Sequence, residues 1–323
     1  MVLLGRVSHR QHAIALAALP YRGRFGNARP AALNGLALPP SAMPGRLRSR
    51  PLKAWRYVGV FAPELMLCVA SVRIGRARQS FWAVWDRRHA RLHERTALGR
   101  GDVVLARGSV SVRGRDMRGR EVRIELALDE RPGIESVCVS GDRDGYGYGD
   151  RDGDGCGYGD VYGYGWTCKQ GGIAARGTVT LAGTAPVALD AQAVVDDTAA
   201  YYERHTRWRW SAGVGRSTDG RALAWNLVTG VNDPASGSER TVWVDGEPYE
   251  PPPVSFDDDL SGVGGLRFTA EATRSRRENL LLIRNRYRQP FGTFSGSLGR
   301  GAGFAPIALA HGLGVMEDHE VWW

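Results

Sequence analysis

The sequence predicts a mostly antiparallel all-β protein, on three observations. Short segments alternate apolar and polar side chains, as Arg120-Glu-Val-Arg-Ile-Glu-Leu-Ala-Leu128 does, and this is the period of a strand with one wet face. Turn signals such as Arg118-Gly119, Pro132-Gly133, Asp219-Gly220 and Asp245-Gly246 interrupt these segments at the spacing of hairpins and meanders. Helix signals are sparse, with Gln192 to Glu203 as the modest candidate.

Taken in order, residues 1–50 are rich in Pro, Gly and Arg and read as an extended arm. Within them Arg6, His9 and Arg10 precede the apolar run Ala13 to Leu19. That run is short for a secretory core, and Pro20-Tyr-Arg-Gly23 follows in place of a small-residue cleavage site, so a cytoplasmic location is expected. Strand patterns begin at Trp55-Arg-Tyr57-Val-Gly-Val-Phe61. They continue through Glu64 to Arg73, Ser80 to Asp86, Asp102 to Ala106, Gly108 to Arg113 and Arg120 to Leu128. After Trp166-Thr-Cys-Lys169 they resume at Gly177 to Gly183, Trp208 to Val214, Ala222 to Thr229 and Arg240 to Val244. Gly264 to Glu271, Asn279 to Arg284, Gly292 to Gly296 and His311 to His319 complete the set. About fifteen strands are too many for one twisted open sheet, and sheets of that size split or close into barrels.

Residues 141–165 repeat Gly, Asp and Tyr, a composition that builds no packed core and reads as an expanded loop. Inside it Asp150-x-Asp152-x-Asp154-Gly155 opens like a calcium loop, but Val161 stands where the bidentate Glu belongs, so calcium is not expected.

The formal charge is +9, yet 41 of the 43 basic residues are arginines scattered along the chain, and Lys53 and Lys169 are the two lysines. A nucleic-acid footprint clusters on one face, so no nucleic-acid partner is expected. Weak attraction to anionic lipid headgroups is what the charge allows. Cys68, Cys138, Cys156 and Cys168 form no C-x-x-C pair, which argues against zinc and against a disulfide framework. Cys68 sits in an apolar run and is expected to be buried and inert. The oligomeric state is not set by the sequence.

Longer motifs carry a resemblance. Lys169-Gln-Gly-Gly-Ile, Val194-Val-Asp-Asp197, His205-Thr-x-Trp208-x-Trp210-Ser-Ala-Gly-Val-Gly215 and Asn226-Leu-Val-Thr-Gly-Val-Asn232 stand in one half. Lys53-x-Trp-x-Tyr57, Phe61-x-Pro-Glu64, Arg286-Tyr-Arg-Gln-Pro-Phe-Gly292 and Gly312-x-Gly-Val-Met-Glu-Asp-His319 accompany them. Together they resemble the bacterial family called domain of unknown function 2804. The order of features is more distantly similar to the tandem lipocalin-like carotenoid hydratases and tocopherol cyclases. That likeness implies two tandem lipocalin-like (calycin) antiparallel barrels with an N-terminal arm. The expected division is an arm over 1–50, a first barrel over 51–140 and 166–190, the insert over 141–165, and a second barrel over 191–323. Of the box that enters the second barrel in those enzymes, this chain keeps Asp196. Their late-strand and C-terminal elements fall on Tyr287 and Glu317.

Such barrels enclose apolar ligands. Hydration or cyclisation of an alkene needs an acid whose proton is held by burial and an aromatic wall that steadies a cation. Asp196 and Asp197 are the candidate acids and His205 a candidate base. Tyr202, Trp208, Trp210 and Trp225 are candidate wall residues, and Asn226, Tyr287 and Glu317 candidate ligand contacts. Each also has a plain structural reading: Asp197 as a helix N-cap, the tryptophans as core, His205 in a local hydrogen bond. Glu317 and His319 share a strand face, but two donors without a third do not make a metal site, so no metal and no cofactor is expected. The expected function is binding of a hydrophobic small molecule of terpenoid, polyene or fatty-acyl type, with cofactor-free acid catalysis from Asp196 if that carboxyl faces the cavity. A hydratase, cyclase or isomerase would fit; a non-catalytic carrier or sensor, or a structural β protein, are the alternatives.

Overall fold

A computed structural model describes residues 9–99, 101–141, 163–280 and 283–323. The Ala-rich run near the N-terminus forms α1 (His9–Ala17), followed by β1 (Tyr21–Arg24) and the small hairpin β2 (Arg46–Leu47) and β3 (Arg50–Pro51). The described part of the arm is therefore partly helical: Ala15, Leu16 and Leu19 bury themselves against Leu33 and Leu36, and that packing stabilises a turn of helix that the local sequence alone would not.

The meander β4 (Lys53–Phe61), β5 (Leu65–Ile74), β6 (Ala77–Asp86) and β7 (Arg91–Leu98) follows. Then come β8 (Val103–Ala106), β9 (Ser109–Arg115), β10 (Glu121–Leu128), β11 (Ile134–Ser140), β12 (Gly163–Leu181) and β13 (Val187–Ala200). They form one sheet in the order β7-β6-β5-β4-β13-β12-β10-β9-β8, with β11 joining β12 to β1. The second sheet contains β14 (His205–Ser217), β15 (Ala222–Thr229), β16 (Thr241–Val244), β17 (Glu247–Tyr249), β18 (Gly262–Val263), β19 (Leu266–Leu280), β20 (Ile283–Leu298) and β21 (Ile307–Trp322). Its order is β17-β16-β15-β14-β21-β20-β19-β18. All of these ladders are antiparallel. Among the described residues no ladder joins β7 to β8 or β17 to β18. No described helix is long and apolar enough to cross a membrane.

The expected helix over Gln192 to Glu203 is instead most of β13 and its exit. Its Ala-rich composition tolerates a helix, but Val194 and Val195 feed apolar clusters on opposite sides of the strand, and pairing with β4 and β12 overrides local propensity. Asp197 accordingly lies mid-strand and caps no helix. The first sheet runs on to Ala200 and the second starts at His205. The low-complexity run gives its last residues to β12: Gly163, Tyr164 and Gly165 pair with Ser140, Val139 and Cys138. The calcium-like residues Asp150 to Val161 lie outside the described residues.

Beside the cluster under the arm, the alternation of the strands builds three more. Val58 and Val60 of β4 point into the first sheet's own core with Leu67, Val69, Trp82 and Ile124. Trp225, Phe268, Phe294 and Met316 fill that of the second sheet. Tyr57 and Phe61, on the other face of β4, meet Trp208, Trp210, Phe291 and Val315 between the sheets. A bulge at Gly171–Ile173 bends β12, with Gly172 at φ +69°. A Cβ on Gly171 would lie 2.4 Å from the Trp243 ring, so the second sheet approaches the first closely there.

Candidate functional site

A cavity of about 170 Å³ lies between the two sheets. Period-two alternation puts Trp55 and Tyr57 of β4, Trp208 and Trp210 of β14, Tyr287 of β20 and Glu317 and His319 of β21 on its walls. Register brings them together: Trp210 stands opposite Glu317, and His319 opposite both Trp208 and Tyr287. Tyr202, Trp55, Trp208 and His319 form a ladder of rings with successive centroids 5.9, 6.1 and 4.1 Å apart. The Trp55 and Trp208 planes differ by 7°. The rim is formed by Ala77, Arg78 and Leu98, which are exposed, with Arg276 and Glu278 half-buried.

Two polar groups of side chains meet the cavity. One is centred on Glu317, which is 8% exposed. Trp208 Nε1 donates to its Oε1 at 2.8 Å and Gln289 Nε2 to its Oε2 at 3.0 Å. Burial lifts this carboxyl to about 7; Asp196 adds to the rise, while the Trp208 donor, the nearby Tyr287 hydroxyl and the charge of Arg274 oppose it. His319 is pushed the other way, to about 3, by burial and by the positive charge of Arg274. It is therefore neutral at physiological pH. Its Nε2 pairs with Asn285 Oδ1 at 2.7 Å and its Nδ1 lies 3.9 Å from Glu317. Arg274 is stacked between Phe81 and Tyr287, with its Cζ 4.1 and 4.8 Å from their centroids.

The other group is a buried ionic cluster. Lys169 Nζ is 2.5 Å from Asp196 Oδ1 and 3.3 Å from Glu239 Oε1. Asp196 also accepts from Thr198 Oγ1 at 2.9 Å and Trp55 Nε1 at 3.3 Å. Burial works against the Lys169 ammonium, but the two carboxylates outweigh it and raise its pKa. Glu239 is raised by burial, against the pull of Lys169. Asn232 Nδ2 donates to Glu239 Oε2 and to the Tyr202 hydroxyl. Three donors, Lys169, Thr198 and Trp55, converge on the Asp196 carboxyl, so the acid expected from the sequence sits in a buried ion pair.

Of the residues singled out in the sequence, Asp196, Tyr202, Trp208, Trp210, Tyr287 and Glu317 line this cavity. The others stand elsewhere. Asp197 points to the opposite face of β13 and pairs with Arg56 at 2.5 Å. Trp225 lies in the second sheet's core, donating to Ser211 Oγ. Asn226 sits behind the wall, where its Oδ1 accepts from Trp210 Nε1 at 2.8 Å and its Nδ2 donates to the Glu239 carbonyl. His205 stacks on Trp322 at 4.3 Å, pairs with Glu320, and faces an open groove. Among the described residues no three metal-ligating side chains converge.

Sequence reasoning missed Lys169, Glu239, Arg274, Gln289 and Tyr57. One signal was present. In a chain that uses arginine at 41 of 43 basic positions, both lysines are almost fully buried. The second, Lys53, donates to the Tyr202 carbonyl at 2.6 Å, lies 5.4 Å from the Trp323 ring, and is lowered to about 8 chiefly by burial. Compact lysine ammonium groups fit where guanidinium forks do not.

No curated protein matches the sequence. Among solved structures, similarity is found to a candidate AttH of Nitrosomonas europaea, at 13% identity and a TM-score of 0.39 over 88% of this chain and 98% of that one. It is also found to kievitone hydratase of Nectria haematococca, at 8% identity and a TM-score of 0.37 over 82% and 88%. CghA with Sch210972 matches at 10% identity and a TM-score of 0.36 over 94% and 98%. The family model described as Domain of unknown function (DUF2804) matches residues 161–323, which hold β12 to β21 with Lys169, Asp196, Glu239 and Glu317. The chain belongs to this family.

Proposed function

We propose that the intersheet cavity takes a hydrophobic small molecule of terpenoid, polyene or fatty-acyl type, and that Glu317 protonates a double bond in it without a cofactor. The observation that carries this reading is a carboxyl on the wall of a mainly apolar, aromatic-lined cavity, lifted by burial to about 7, where an acid keeps its proton near neutral pH and still releases it. In the step proposed, the Glu317 proton forms a new C–H bond with one alkene carbon, and the π electron pair leaves the other carbon cationic. The faces of Trp208, Trp210 and Tyr57 steady that charge. Water or a second double bond of the same molecule then adds to the cation, giving hydration or cyclisation. The proton released from that water, or from the neighbouring carbon, returns to the Glu317 carboxylate. Neutral His319 does not compete for it. Asp196, tied to Lys169, adds negative potential that helps Glu317 keep its proton.

The tandem-barrel architecture belongs to the same proposal. Each sheet carries an apolar core of its own on one face, as a sheet curled round its interior does, and the cavity lies where the two meet.

The test begins with solvent extraction of the protein purified from its native cells and mass spectrometry of the extract. The compound found is then incubated with protein in heavy water. Wild type is expected to place one deuterium on a product carbon; Glu317→Gln is expected to retain the compound and form no product. Deuterated product from the variant at the wild-type rate would remove Glu317 from the proton transfer.

A further inference from the structure

Most buried phenols here have an obvious hydrogen-bond partner. Tyr164 donates to the Ala37 carbonyl, Tyr201 to the Pro44 carbonyl, and the Tyr202 hydroxyl receives Asn232 Nδ2. Tyr57 and Tyr287 do not: both are buried, at 5% and 6% exposure, both line the cavity, and neither hydroxyl has a partner at full hydrogen-bond geometry, Tyr57 lying near Cys68 and Tyr287 near Glu317. Buried polar groups left unpaired are rare and costly, so two of them on one cavity ask for an acceptor within it.

The two hydroxyls belong to one place. Tyr57 interacts electrostatically with Tyr287, Glu317 and Cys68, and Tyr287 with Glu317, Arg274 and Cys68. The protein acceptors nearby each carry another donor. Gln289 Oε1 receives the Cys68 thiol at 3.4 Å, while Glu317 Oε1 and Oε2 receive Trp208 and Gln289. The Cys68 sulfur itself is a poor acceptor. Arg274, stacked on the Tyr287 ring, is held by Thr96 Oγ1 at 2.7 Å and Glu94 at 3.4 Å, and its charge makes this end of the cavity attractive to an electronegative atom.

We infer that the ligand is an oxygenated hydrocarbon whose carbonyl, ether or hydroxyl oxygen is held between the Tyr57 and Tyr287 hydroxyls beside Glu317, its apolar body lying along Trp55 and Trp208. This rests on the proposed reading of the cavity and narrows it: a pure hydrocarbon leaves both hydroxyls unsatisfied. The arrangement also fixes which part of the molecule faces the acid, because the bound oxygen sets the register of the carbon chain against Glu317.

The test compares two probes of one ten-carbon skeleton, limonene and its ketone carvone, by headspace gas chromatography over solutions of the full chain. Water solvates the ketone better, so a cavity offering no donors binds limonene more tightly. The inference predicts the reverse, with carvone at least tenfold tighter. It also predicts that Tyr57→Phe with Tyr287→Phe lowers carvone affinity about tenfold and leaves limonene within twofold. Limonene binding equal to or tighter than carvone by wild type would overturn the inference, with ordered water then the partner of the hydroxyls, and would leave the apolar-cavity reading standing. Retention of neither probe would overturn that reading and the inference with it. Should the double variant fail to fold, the wild-type pair of affinities decides the question alone.

Discussion

Glu317→Gln gives the sharpest physical prediction, because the substitution keeps the shape of the side chain and removes its titration. The folded carboxyl binds its proton up to about 7, against an ordinary 4.5. Between those values the folded chain holds a proton that the unfolded chain has lost, so wild-type stability falls as pH rises through that window. Integrating the two titrations gives a loss of about 2.5 kcal/mol between pH 5 and pH 8 attributable to this group. The variant lacks this loss. Urea unfolding at both pH values measures it, and the difference of differences between wild type and variant removes every other titrating group and any pH-independent packing change. The prediction is that Glu317→Gln gains about 2.5 kcal/mol relative to wild type on going from pH 5 to pH 8. A change below about 0.5 kcal/mol would refute the claim that burial holds this carboxyl near neutrality.

Three further outcomes follow from the same geometry. Lys169→Met leaves Asp196 and Glu239 buried and facing each other; a loss of about 3–5 kcal/mol is expected in urea unfolding at pH 7, shrinking at pH 4.5 as Glu239, raised by burial, takes up a proton, and a loss under 1 kcal/mol at pH 7 would show the cluster to be solvated. His319 is held at about 3 against its ordinary 6.5, so its contribution is present above pH 6.5 and is lost as pH falls; His319→Gln is expected to spare about 3 kcal/mol of acid destabilisation at pH 4, and identical acid melts of variant and wild type would count against a neutral histidine. Burial pushes Cys68, Cys138 and Cys168 to about 12, so a Cys156→Ser variant is expected to show no native reaction with a disulfide reagent at pH 8 and reaction of all three thiols in denaturant.

The strands with one wet face were the easiest to read. Glu121–Leu128 alternates exposed and buried residues in the folded chain as its sequence implies, and the turns at Gly119, Gly220 and Gly246 fall where they were expected. β13 was the hardest, because a strand buried on both faces loses its alternation and an Ala-rich run then resembles a helix. The site was legible only in part. Glu317 and His319 could be placed on one face by the period of β21. Their neighbours could not, because Tyr57, Lys169, Glu239 and Arg274 come from β4, β12, the approach to β16 and β19, and only the pairing of β4 with β13 and of β14 with β21 brings these segments together. Pairing between strands far apart in sequence depends on the whole sheet, not on any window of residues. The same limit made Trp225 look like Trp208 and Trp210, although alternation along β15 turns it into the second sheet's own core, while Asn226, on the other face, lies behind Trp210.

The account stands on a guest between the sheets. A crystal structure of the full chain grown with carvone tests that most directly. Density for the ligand in contact with Trp208, Tyr287 and Glu317 is the predicted result. Water alone in that space, or the ligand bound only at the outer surface, would contradict it.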